Sequence, residues 1–72
     1  MESLRRNFGI RLRNLRHQAG LTQEQLAEET NLSVDFISII ERGINAPSFD
    51  NLEKLANALG VSVQELFQFN KP

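Results

Sequence analysis

Cysteine is missing altogether, and a single histidine, His17, is present. No disulfide can form, no thiolate can hold a metal, and a lone imidazole has no second one with which to make a ligand pair. With no serine or aspartate arranged beside it in any motif, that histidine also leaves nothing from which to build a catalytic triad. The sequence therefore points away from an enzyme, a metal centre, a cofactor or a small-molecule ligand. Nor does any apolar run approach the ~20 residues that a membrane span needs, and Arg5 and Arg6 are not followed by the apolar core of a signal peptide. No membrane partner is expected, and a soluble protein of the reducing cytoplasm is. Absent too are a strand pattern, an internal repeat and a low-complexity tract.

What is there is short and unevenly charged. At 72 residues the chain is expected to form one domain, 1–72, near the lower size at which a core holds without staples. The net charge is −1, which by itself argues against a nucleic-acid partner. The sum hides a division: residues 1–17 hold five arginines against Glu2, whereas residues 18–72 hold three basic and eight acidic side chains. The stretch from Ser33 to Ile40 has one acidic side chain, Asp35, and no basic one.

Apolar spacing and turn residues divide the chain into five helices, about 3–19, 22–29, 33–42, 48–59 and 62–69. Leu4, Phe8, Leu12, Leu15 and Ala19 lay one stripe along the first, with Arg16 at its edge and Gly20 as its stop. Thr22 and Gln25 form a capping box, and Leu21 with Leu26 forms a hydrophobic staple that starts the second. Ser33 restarts the punctuation after about three residues, with Leu32 and Ile37 as the next staple, so 22–42 reads as a helix-turn-helix unit. Ser48 caps a fourth helix whose inner face is Phe49, Leu52, Leu55, Ala56 and Leu59. Ser62 and Glu65 cap a last one with Val63, Leu66 and Phe67 turned inward, and the final few residues are expected to fray.

Within the two-helix unit, Ala27 is small where the second helix crosses above it, and Ile37 and Ile40 fill the wedge between the helices. Asn31 stands at the tight turn, where positive φ is needed and asparagine is the usual substitute for glycine. The ordered segments "RLRNLRHQAGLTQEQLAEETNLS" and "ISIIERGINAPSFDNLEKLANALGVSVQELF" resemble the lambda-repressor-like helix-turn-helix DNA-binding proteins, the Cro/C1-type or XRE-type family. The resemblance covers nearly the whole chain, with "GLTQEQLA", "IERG" followed by "APS", and "LEKLANALGVSVQELF" at the family's spacing.

The resemblance implies an all-α, compact five-helix domain and a transcriptional regulator of double-stranded DNA that reads its site through the third helix. It places Val34, Asp35, Phe36, Ser38 and Ile39, on a face opened by Ser33, at positions that reach base edges or nearby phosphates. Gln23, beside Thr22 at the start of the preceding helix, matches a phosphate anchor, and Arg42 and Asn45 match backbone contacts. Arg16 and Glu41 match a partly buried salt bridge between the first and third helices. Small members act as homodimers on pseudo-palindromic sites; here the fourth and fifth helices, with Phe49 and Phe69, are the candidate interface. Standalone relatives include restriction-modification controllers, which are similar in size, as well as repressors and antitoxins.

Competing readings attach to several of these residues. Asp35 lies where a carboxylate is favoured by the helix dipole without any partner, although it also suits a cytosine amino group. Phe36 has the option of folding back onto the scaffold, and the arginines of the first helix, Arg11 and Arg13 among them, are either a solvated face or a source of attraction for phosphates. The acidic balance after residue 17 fits a second kind of protein, an interaction module or antitoxin that keeps the fold with little or no DNA binding.

Overall fold

The computed structural model describes residues 3–69, and the expected fraying of the last residues lies outside that range. Four α-helices and one 3₁₀ turn follow in order: α1 Leu4–Gln18, α2 Gln23–Thr30, α3 Val34–Glu41, α4 Phe49–Leu59, and the turn Gln64–Phe67. Each helix begins at a serine or threonine whose hydroxyl accepts a backbone N–H: Ser3 from Arg6, Thr22 from Gln25, Ser33 from Phe36 and Ser48 from Asn51. Satisfying a free amide of the first turn in this way stabilises a helix start by about 1 kcal/mol. The four ends are equally alike. A left-handed residue follows each helix, Gly20, Asn31, Gly43 or Gly60. The next amide then reaches back to close the end, as Leu32 N does to Ala27 O at 3.0 Å.

The expected fifth helix is corrected to a single 3₁₀ turn. Its bonds run from each amide to the carbonyl three residues back, Glu65 N to Ser62 O and Leu66 N to Val63 O, and Gln68 leaves the helical region at ψ 87°. Ser62 and Glu65 do exchange the reciprocal bonds of a capping box. The Glu65 carbonyl accepts from Arg11 Nε at 2.9 Å, which fastens the turn to α1. Tighter winding changes which side chains face inward: Leu66 is buried, whereas Val63 and Phe67, expected inside, are exposed.

Phe8, Leu12 and Leu15 from α1 meet Leu26 and Ala27 from α2, Ile37 and Ile40 from α3, and Leu52, Leu55, Ala56 and Leu59 from α4 in one core. Leu4 and Ala19, the ends of the expected α1 stripe, are exposed, because the core reaches neither the first turn nor the cap; Gly9 and Arg16 complete the buried face instead. Phe49 likewise leaves the inner face of α4 for solvent. No helix among the described residues is long and apolar enough to cross a membrane.

α1 packs on α3 and on the 3₁₀ turn, while α2 packs on α3 and α4. α3 is therefore held from two sides by α1 and α2.

Candidate nucleic-acid interface

The α2–α3 corner is built from a turn of three residues, 31–33. Asn31 sits at φ 60°, ψ 30°, and Ser33 opens α3 with an extended backbone. Thr30, buried at the end of α2, returns its hydroxyl to the carbonyls of Leu26 and Ala27. α3 thus leaves the corner at a fixed angle, with Ile37 and Ile40 fully buried and Ala27 beneath it.

Around that helix the proposed contact residues divide. Val34 and Phe36 are half-buried and lean on the core, while Asp35 is exposed and Ser38 and Ile39 are half-exposed. Part of the Phe36 ring thus packs on the scaffold. The Ser33 hydroxyl is engaged by Phe36 N at 3.0 Å. Arg42 is exposed just past the end of α3, and Asn45 is exposed in the loop, where its Oδ1 accepts from Ala46 N.

At the start of α2 the Thr22 hydroxyl accepts from Gln25 N, and Thr22 N donates to Gln25 Oε1 at 2.8 Å. Gln23 is half-buried, and its Nε2 donates to Glu41 Oε1 at 3.0 Å. That carboxylate is shared. Arg16 Nε donates to Glu41 Oε2 at 2.6 Å and its NH2 group to Oε1 at 3.1 Å, while its NH1 group donates to Leu21 O at 2.8 Å. Arg16 is 7% and Glu41 9% exposed, so a buried two-pronged ion pair joins α1 to α3. The bond from Gln23 to this pair was not foreseen from sequence. Its signal is the polar residue at the first position of α2 opposite the acidic last residue of α3, which only the crossing angle brings together.

Of the basic residues of α1, Arg11 is tied to Glu65 O and Arg5 reaches Ile44 O at 3.2 Å, whereas Arg13 is exposed. Phe49 is 86% exposed, beside an apolar hollow of about 590 Å³ walled by Leu4, Phe8, Pro47, Leu52 and Phe67. Phe69 does not line it; it is half-buried, its ring 6.3 Å from that of Phe67. Phe67 is the other exposed aromatic ring lining that hollow. Among the described residues no group of His, Cys, Asp or Glu is placed to hold a metal.

Comparison with known proteins agrees with this geometry. Residues 12–66 match the helix-turn-helix family model. Control protein C.BamHI of Bacillus amyloliquefaciens is 41% identical over 68 residues, covering 93% of this chain and 84% of its own. The restriction-modification controller protein C.AhdI of Aeromonas hydrophila superposes with a TM-score of 0.84 at 44% identity, over 86% of this chain and 94% of the other. Longer relatives exist: the immunity repressor of Bacillus phage phi105 is 43% identical over 58 residues, 81% of this chain, which spans 40% of that repressor. An arrangement of four capped helices with an open third helix, matched along its length by controllers and in part by repressors, leaves one assignment: the chain belongs to the helix-turn-helix family of Cro/C1-type transcriptional regulators.

Proposed function

We propose that the protein is a transcriptional regulator, not an enzyme, that binds a pseudo-palindromic operator as a homodimer with α3 in the major groove. One observation carries the reading. α3 is held at a fixed angle by Ile37 and Ile40 in the core and by the Arg16–Glu41 pair at its last residue, while Asp35 is exposed and Ser38 and Ile39 are half-exposed. A helix presented this way fits the groove in which base pairs show distinct donor and acceptor patterns. Gln23, its amide held by Glu41, serves as a phosphate anchor, and Arg42 and Asn45 serve as backbone contacts. The match along most of the length of C.BamHI and C.AhdI favours a restriction-modification controller.

Selection from random duplexes at low salt tests this. A two-fold related sequence should be enriched, and its affinity should fall as salt rises, since each phosphate neutralised releases counterions. Gln23→Ala should weaken every duplex alike by roughly tenfold, the worth of a hydrogen bond to a charged group. If Gln23→Ala instead altered which sequence is preferred, its assignment as an anchor would fail.

The pairing of subunits is assigned to Phe49 and the hollow beside it. A protruding ring next to an apolar recess on the same face is the knob and hole that a two-fold contact requires. Phe49→Asp should leave the fold intact, because the ring is exposed, and should give a monomer by sedimentation on the order of tens of micromolar, where the wild type sediments as a dimer. A monomeric wild type would remove the homodimer. The lack of any basic residue in α3 favours a second reading, a protein-interaction module; weak, salt-insensitive binding with no enriched sequence is the result that would select it.

A further inference from the structure

Resting on the DNA-regulator reading, we propose that Asp35 determines base preference by admitting cytosine, and rejecting guanine and thymine, at one position of each half-site.

Sorting the outward residues of α3 by what they already touch isolates this side chain. The Ser33 hydroxyl caps the helix, and Val34 and Phe36 lean on the core. Asp35 is exposed at the second position of α3, where its carboxylate has neither hydrogen bond nor ion pair among the described residues. The helix itself offers no basic neighbour to neutralise it. Residues at this end of a recognition helix are the ones that meet base edges. The carboxylate therefore enters the groove as an unpaired acceptor.

An acceptor without a donor is tolerated at few base edges. Guanine presents N7 and O6, both acceptors, and thymine presents O4 beside a methyl group. Adenine offers its amino group next to the N7 acceptor, and cytosine alone offers N4–H₂ with no acceptor adjoining it on the same base. Against guanine or thymine the carboxylate loses its water and faces a second lone pair, so the cost falls on wrong sequences. Asp35 thus contributes discrimination and little net affinity: it lowers binding to non-cognate duplexes, already disfavoured by a carboxylate near phosphates.

The test is selection from random duplexes with the wild type, Asp35→Ala and Asp35→Asn, each checked for helix content by circular dichroism. The wild type should enrich a cytosine at one position of each half-site, with about tenfold loss when that base pair is replaced. Asp35→Ala should erase the preference at that position alone and raise affinity for duplexes lacking the cytosine. Asp35→Asn should move the preference to adenine, whose N6 and N7 an amide can pair. A wild-type consensus that Asp35→Ala leaves unchanged at every position, or blurs at every position, overturns the role of Asp35 while the regulator reading stands. A wild type that enriches no sequence overturns both.

Discussion

Replacing Arg16 with alanine should unfold much of the protein at room temperature. The substitution leaves the Glu41 carboxylate, 9% exposed, with only the Gln23 amide for company, and it leaves the Leu21 carbonyl, just past the end of α1, without the guanidinium that donates to it. Removing one partner of a buried pair costs about 3–5 kcal/mol, against a total of about 5–15 kcal/mol for a native domain, of which a small one has the lower share. Urea unfolding followed by circular dichroism would read the loss as a fall in midpoint with unchanged slope. Arg16→Lys should recover only part of it, because an ammonium cannot span both carboxylate oxygens and the carbonyl together. Replacing both members with Met and Leu should recover most of it, since the buried charge goes with its partner. An Arg16→Ala midpoint equal to the wild type would show that the pair is dispensable.

Gly9→Ala should also destabilise, against the usual sign. In the middle of a helix this change normally stabilises by about 0.5–1 kcal/mol. Here an added Cβ would lie 2.5 Å from Ile40 O and 2.6 Å from Glu41 O, and neither atom can swing aside as a side-chain end would. α1 must lift from the last turn of α3, at a net cost of about 1–3 kcal/mol, and Gly9→Val should cost more. The same urea titration measures it. An unchanged or raised midpoint would mean that the two helices separate freely, and the fixed angle of α3 would lose its support.

Helix positions were legible because their signals are local. Ser33 and Thr22 cap whatever follows them, and Asn31 fits a left-handed corner wherever it stands. Spacing along α1 also marked Phe8, Leu12 and Leu15 as buried. The misplacements share a cause. Leu4, Phe49 and Phe67 obey the apolar period of their own elements, but burial depends on how far a second element covers them: Phe67 is covered only in part, by Phe8 of α1, and Phe49 stays 86% exposed. The 62–69 segment carries the start signals of a helix, yet a single turn is all that Leu66 needs to reach the core. Gly9 was passed over, although a glycine inside a helix asks for a reason; the reason lies thirty residues on, in carbonyls that no local pattern reveals. At the interface, the division of α3 into Val34 and Phe36 leaning inward and Asp35 facing out required the crossing of α1 and α2.

That division has an evolutionary consequence. Ile37, Ile40 and Glu41 hold α3 in place, and Asp35, Ser38 and Arg42 hold nothing else in the described protein. Surface changes at such positions usually alter stability by less than about 0.5 kcal/mol. On the proposed reading, the address of this domain can therefore drift one base at a time without a stability-compensating change elsewhere. Val34 and Phe36 cannot follow as freely, because each new reading side chain there must also fill part of the core. Related regulators should differ most at the first group and keep apolar residues at the second.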